Sequence, residues 1–251
     1  MKLNFIHKKA DSKYKSPKKI VLLHGWAKTA SSKSFEALQK ELAKEGFESW
    51  AVDLPGFGDS PEAPEHYGIP EYAEEVARFV EEEIRDEEYY LFGHSFGGSL
   101  SAHIAAYLDP KPKAIILCNS AGIRYKTLKA KIALPFAKAF KSIKSILPKD
   151  FYNTLRRNIY YYFIRERDYV DTSDKKEQFV RVTNDDITET FKEVKLPTLI
   201  IWGRDDKVTP LSMGEKIHSL VEDSEMEVIE GRHGIPITKA TEVAELIGKF
   251  I

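Results

Sequence analysis

Short apolar runs alternate with helical patterns along most of this chain, and that alternation restricts its fold more than any other feature. The runs are KKIVLLHG (18–25), ESWAVDLPG (48–56), YYLFG (89–93), KAIILCNS (113–120), TLIIWG (198–203) and MEVIEG (226–231). Each has the length of a strand and is bounded by turn-forming residues. Between them lie FEALQKELAKEGF (35–47), with apolar residues at 35, 38, 42 and 43, and PEYAEEVARFVEEEIRDEE (70–88), which opens on Pro in its first turn. LSMGEKIHSLV (211–221) and TKATEVAELIGKFI (238–251) are amphipathic helices as well. Strand–helix alternation implies parallel pairing with right-handed crossovers. Near-continuous apolar strands imply a sheet covered on both faces. The expected class is therefore α/β, with a mostly parallel central sheet flanked by helices.

One stretch breaks the rhythm. The 77 residues 121–197 lack a convincing strand, and within them LKAKIALPFAKAFKSIKSIL (128–147) and FYNTLRRNIYYYFIRERDY (151–169) read as helical. That length exceeds a single crossover helix. The expected organisation is a core formed by 1–121 and 191–251, with 122–190 as a helical cap inserted over the end of the sheet. From 122 to 167 there are 12 basic and two acidic residues, a net of +10, whereas 71–88 carries nine acidic residues against Arg78 and Arg85. Solvated helix faces account for such runs; a lid that attracts an anionic substrate or surface is the sharper reading.

Composition removes several function classes. Lys+Arg is 38 and Asp+Glu is 39, so no global charge favours nucleic acid. No apolar run approaches the ~20 residues of a membrane helix, and the basic N-terminus lacks the apolar stretch of a secretory signal. Cys118 is the only cysteine, so no intrachain disulfide forms, which fits a reducing compartment and a cytoplasmic location. No His, Cys and Asp cluster has metal-ligand spacing, and GHSFGGS lacks the Lys of a phosphate-binding loop, so neither metal nor organic cofactor is expected.

Chemistry concentrates at GHSFG (93–97), which follows the run YYLF and precedes the helical FGGSLSAHIAAYL (96–108). A sharp strand-to-helix turn here strains Ser95 and projects its hydroxyl at the carboxyl end of the sheet, beside a helix N-terminus. Serine needs a base, and the base needs a carboxylate to orient it. Of the histidines after Ser95, His103 lies within the helix that follows the turn and His218 lies mid-helix. His233 stands in the loop GRHGIP after a strand, so it is the candidate base. The acid should follow TLIIWG, where Asp205 and Asp206 both stand, and local physics does not separate them. Asn119 and Ser120 leave no carboxylate after the preceding strand. Backbone N–H groups of Phe96 and Trp26 are the candidate oxyanion donors. His24 reads as a brace for the loop that carries Trp26.

Together LLHGW (22–26), DLPGFGDS (53–60), GHSFGG (93–98), WGRDDKVTP (202–210) and GRHGIP (231–236) resemble the α/β-hydrolase superfamily in order and spacing, over about residues 18–251. The resemblance implies a mostly parallel, typically eight-stranded sheet and a helical cap after the sixth strand. Its pattern W-G-x-x-D-x-x-x-P falls on Trp202, Gly203, Asp206 and Pro210, which favours Asp206 over Asp205. A serine at the nucleophile position resembles the esterase, lipase, lactonase, C–C hydrolase and perhydrolase members and argues against haloalkane dehalogenases and epoxide hydrolases. Three departures stand out. Only about 18 residues precede the first clear strand, so the N-terminal hairpin is short; HGWAKTASS lacks a Gly-Gly run; and Arg232 precedes His233.

The implied activity is that of a serine hydrolase of small-molecule carboxylic esters, lactones among them, through Ser95, Asp206 and His233. The alternatives are a C–C bond hydrolase of dienone acids and a non-catalytic ligand-binding relative. Of the cap's aromatic residues (Phe136, Phe140, Phe151, Tyr152, Tyr160, Tyr161, Tyr162 and Phe163), more than half would pack the cap onto the sheet and the remainder would line an apolar pocket, and Arg156, Arg157, Arg165 or Arg167 would clamp a substrate carboxylate. Oligomeric state is not legible in the sequence.

Overall fold

The computed structural model describes residues 1–85, 87–124, 181–182 and 185–251. The expected helices at 128–147 and 151–169, the aromatic residues Phe136–Phe163 and the four arginines lie outside the described residues, as does most of the expected cap.

Seven strands form one sheet among the described residues: β1 (Phe5–Lys8), β2 (Lys18–Leu23), β3 (Phe47–Val52), β4 (Tyr89–His94), β5 (Ile115–Cys118), β6 (Thr198–Gly203) and β7 (Ser224–Ile229). Their order is β1-β3-β2-β4-β5-β6-β7. Only β1 runs antiparallel, with Phe5 opposite Val52; all other pairs are parallel. The sheet thus has seven strands, where the resemblance implied eight. The long excursion follows the fifth strand rather than the sixth, because one strand, not a hairpin and more, precedes β2. Sequence patterning passed over β1 because its four residues are half-buried to exposed and carry two polar side chains. Tertiary contacts hold it: the Phe5 ring meets Phe79 edge-on, and the His7 ring stacks on Trp50 at 4.6 Å.

Helices α1 (Glu36–Lys44), α2 (Ile69–Glu83), α3 (Phe96–Tyr107), α4 (Thr188–Glu193), α5 (Leu211–His218), α6 (Ile235–Thr238) and α7 (Ala240–Phe250) flank the sheet. Alternation along the strands sends Ile20, Leu22, Phe92, Ile116, Leu199 and Ile201 to one face, where they pack with Leu38 and Leu42 of α1 and Val243 and Ile247 of α7. Val21, Leu23, Leu91, Leu117 and Ile200 are equally buried, on the other face by the same period of two. There α2 packs on α3, and α3 on α4. Helix α2 begins with Pro70 in its first turn, as expected, and the Glu71 carboxylate accepts the N–H of the Gly68 cap at 2.7 Å. It stops short of the expected residue 88, because Arg85 takes a left-handed φ of 60°. His218 is the last residue of α5 rather than mid-helix, and its Nδ1 meets the Ser224 hydroxyl at 2.8 Å.

Two features of this topology position a site. Because β2–β7 are parallel, the loops after all six open at one edge of the sheet. The chain also leaves β2 toward β3 on one side and returns to β4 on the other. That reversal opens a crevice at the carboxyl ends of β2 and β4, where ligands of open α/β sheets bind. The Ile187 N–H donates to the Gly122 carbonyl at 2.8 Å, so the chain returns to the point beside β5 from which it left. Met1–Ile123 and Glu177–Ile251 form one compact unit.

Candidate active site

At the end of β4 the backbone turns abruptly into α3. Ser95 sits at the turn with φ 54° and ψ −115°, a conformation that costs a non-glycine residue of order 1–3 kcal/mol. Close packing forces it. A Cβ on Gly97 would strike the carbonyl oxygen of Leu23 at the end of β2, and one on Gly93 would strike the carbonyl of Gly97. The Ser95 N–H donates to the Cys118 carbonyl at 3.1 Å and its own carbonyl accepts from Ala121 at 2.9 Å, which fixes the turn against β5. Gly97→Ala should therefore displace α3 from β2. Overpacking of this kind costs about 1–3 kcal/mol, and a fall in Tm of about 2–12 °C is expected in thermal denaturation followed by circular dichroism.

The loop after β2 folds over the serine. A Cβ on Gly25 would come within 2.9 Å of Ser95 Cβ and 3.4 Å of its Oγ, so the peptide carrying Trp26 lies beside the hydroxyl. Phe96 is the first residue of α3, and its N–H has no acceptor within the helix. The Trp26 and Phe96 rings meet edge-on at 5.2 Å, and both meet Tyr72 of α2, at 5.9 and 5.3 Å. His24 is buried with both ring nitrogens in use: Nδ1–H donates to the Gly25 carbonyl, and Nε2 accepts from Leu54 at 3.1 Å. Burial pushes its pKa down to about 4, so it is neutral as this bonding requires. It ties the loop after β2 to the loop after β3. There the Asp53 carboxylate accepts from the N–H groups of Ser32 and Asp59 and from the Asn4 amide. Burial alone would raise the Asp53 pKa, but those three donors together bring it below the usual carboxylate value.

The acid and base loops meet two strands away. Asp206 Oδ2 lies 2.7 Å from His233 Nδ1, with the Asp206 side chain 0% and the His233 side chain 21% exposed. Asp206 Oδ1 accepts the backbone N–H groups of Val208 and Thr209 at 2.8 and 3.0 Å, so the carboxylate is held at both oxygens. Asp205 is exposed, and its backbone N–H donates to the Gly231 carbonyl at 2.8 Å. The spacing of WGRDDKVTP gains a physical reason here: the Trp202 indole N–H donates to the Thr209 carbonyl at 2.9 Å and fastens the far end of the loop that carries Asp206. A Cβ on Gly203 would crowd the carbonyls of Arg232 and Gly231 at 2.7 and 2.8 Å, so the base loop rests directly on the end of β6. His103 is remote from this pair, half-buried on α3 with its ring against Tyr107.

Three residues that the sequence reading did not single out contact Asp206 or the loop of His233. Thr209 Oγ1 lies 2.7 Å from Asp206 Oδ2, 3.1 Å from the Asn119 carbonyl and 3.2 Å from His233 Nδ1. Asn119 is fully buried with φ 44°, its Oδ1 accepts the Gly203 N–H at 2.8 Å, and its Nδ2 donates to the carbonyls of Arg232 and His233. His94 donates Nε2–H to the His233 carbonyl at 2.8 Å. The available signals were slight: an Asn at a strand end, which tolerates a left-handed φ, and a hydroxyl within the acid loop.

A strained serine at a strand–helix turn, with a histidine-bearing loop at the same edge of a mostly parallel sheet, defines a class of hydrolase fold. The family model described as "alpha/beta hydrolase fold" matches residues 18–159, and the chain belongs to that family. It is 28% identical over 250 residues to a bifunctional esterase/perhydrolase of Acinetobacter calcoaceticus, covering 91% of this chain and 89% of the relative. It is 23% identical to the monoacylglycerol lipase ABHD6 of Mus musculus, over 92% of this chain and 75% of that one. Among solved structures, a lipase-esterase related protein of Clostridium acetobutylicum superposes with a TM-score of 0.72 at 22% identity, covering 99% of each chain. A meta-cleavage product hydrolase of Pseudomonas fluorescens superposes with a TM-score of 0.69 at 19% identity, over 99% of this chain and 93% of that one. The likeness to solved structures establishes the fold, and the curated relatives named here are an esterase/perhydrolase and a lipase. No helix among the described residues is long and apolar enough to cross a membrane.

Proposed function

We propose that this chain hydrolyses small-molecule carboxylic esters, lactones among them, through an acyl-serine intermediate. The observation that carries the reading is the buried Asp206 carboxylate 2.7 Å from His233 Nδ1, on the same sheet edge as the strained Ser95. With Nδ1–H directed at Asp206, Nε2 of His233 is the free base. Ser95 Oγ attacks the ester carbonyl carbon and gives its proton to His233 Nε2. The carbonyl oxygen becomes an oxyanion, which the N–H groups of Trp26 and Phe96 receive. Collapse of the tetrahedral adduct breaks the acyl–oxygen bond, and His233 returns the proton to the departing alkoxide. Water then attacks the acyl-serine and gives its proton to His233; the bond from Ser95 Oγ to the acyl carbon breaks, His233 returns the proton to Ser95 Oγ, and the free acid leaves. Asp206 holds the imidazole in this tautomer and offsets its charge while it is protonated. The N–H of Phe96 suits its part because it opens a helix, where negative charge is favoured. Residues 122–190 would act as a cap that supplies the pocket for the acyl or alcohol group. The esterase and lipase activities in the names of the curated relatives support ester chemistry. A lone, buried Cys118 suits a reducing compartment such as the cytoplasm.

Hydrolysis of p-nitrophenyl acetate, butyrate and octanoate tests the substrate class, with a vinylogous dienone acid assayed alongside. Ester turnover that varies with acyl length is expected. Cleavage of the dienone acid without ester turnover would replace the reading by C–C hydrolysis, and tight binding without turnover of either would make the chain a ligand-binding relative.

A further inference from the structure

His94, the residue before Ser95, has no step in the acyl-serine scheme, yet its ring lies against that of His233, with centroids 4.8 Å apart. Its Nε2 is 2.8 Å from the backbone carbonyl of His233. The acceptor is a carbonyl, so Nε2 carries the proton and donates. The same carbonyl accepts a second hydrogen bond, from Asn119 Nδ2 at 2.9 Å. Two side chains from the ends of the adjacent strands β4 and β5 thus converge on one peptide group in the loop after β7. A carbonyl has two lone pairs, and here both are used.

We propose that His94 is a positioning residue for the base: its Nε2–H and the Asn119 amide together clamp the His233 carbonyl and set the imidazole's place relative to Ser95. The proposal rests on the acyl-serine reading given above. His94 and Ser95 are consecutive, so the elbow that strains the serine also sets the direction of the His94 ring. One rigid turn then positions both the nucleophile and the base loop. Without this tie, the base loop is held to the rest of the site by Asn119, by the Asp205 N–H on the Gly231 carbonyl, by Gly203 packing and by the Asp206 contact. A displacement of about 1 Å in a reacting group is enough to cost up to 10²-fold in rate. The ring is also suited to sit beside a base that becomes protonated. Burial, and next the nearby His233, push the His94 pKa down to about 3, while its bond to the carbonyl and the Asp206 charge pull the other way. His94 therefore stays neutral and does not repel an imidazolium at His233.

The test measures second-order labelling of the serine by a fluorophosphonate, which needs an activated serine and not the natural substrate, together with kcat and KM on a p-nitrophenyl ester. Wild type, Ser95→Ala, His94→Phe, His94→Gln, Asn119→Gly and the pair His94→Phe with Asn119→Gly are compared. His94→Phe keeps a planar ring and removes the donor; it should label about tenfold more slowly and lose about tenfold in kcat, with KM changed by less than about twofold. Its Tm should stay within about 3 °C of wild type, since Asn119 still satisfies the His233 carbonyl. His94→Gln, which restores an N–H donor, should recover most of the rate. The double variant should lose more than the product of the two single losses, as expected for two donors on one acceptor. Wild-type labelling in His94→Phe, while Ser95→Ala stays unlabelled, would overturn the proposal and leave the acyl-serine reading standing. A Gln variant as slow as the Phe variant would also overturn it, by assigning the effect to ring packing. Labelling of wild type no faster than of Ser95→Ala would remove the acyl-serine reading and the proposal with it.

Discussion

Ser95→Ala is expected to lower kcat on a p-nitrophenyl ester by about 10⁴-fold or more, with KM close to wild type. The alcohol oxygen that would form the acyl bond is gone, while the proposed oxyanion donors at Trp26 and Phe96 are backbone groups that a side-chain change leaves in place. Residual catalysis over water from binding and from those donors should persist, at about 10³-fold. The substitution also relieves no steric demand, because the strain at φ 54° belongs to any residue with a Cβ. Thermal stability should therefore stay near that of wild type. Steady-state kinetics beside a denaturation curve would check both halves, and equal activity in the two proteins would show that another group is the nucleophile.

Asp206→Asn should be nearly as damaging, with a loss of about 10³–10⁴ in kcat. The substitution is isosteric, and the carbonyl oxygen of Asn can keep the bonds from the Val208 and Thr209 N–H groups that order the loop. What changes is the group 2.7 Å from His233 Nδ1. An amide N–H there favours an imidazole whose Nδ1 accepts, so the proton moves to Nε2 and the base faces the serine in the wrong tautomer. Asp205→Asn is the control. Its side chain is exposed and its only backbone tie to the base loop runs through its N–H to Gly231, so activity should be unchanged. A similar loss in both variants would mean that loop charge, rather than the contact with His233, sets the rate.

These residues differ in how far local sequence could single them out. Ser95 was legible because Gly93 and Gly97 flank it at a strand–helix boundary, and the contacts of those glycines show why no larger residue fits there. Asp205 and Asp206 were not separable by neighbouring residues. They differ in the fold, where one faces solvent and the other is buried on an imidazole supplied from 27 residues away. TLIIWG coincides with β6, while MEVIEG lies two residues past the start of β7, an edge strand whose alternation of Glu with apolar residues weakens the apolar run. The antiparallel β1 escaped because the residues that cover it, Phe79 and Trp50, come from α2 and β3.

The sequence by itself determined the succession of strands and helices, the parallel sheet it requires, and the serine, acid and base motifs at strand ends. Those follow from side-chain period and turn residues within a dozen positions of one another. Only the tertiary structure decided that Asn119 reaches the His233 carbonyl across 114 positions, that His94 reaches it across 139, and that Thr209 Oγ1 stands between the Asn119 carbonyl and Asp206. Such bonds leave no local pattern, because their partners meet only when parallel pairing brings the carboxyl ends of β4, β5, β6 and β7 to one edge of the sheet.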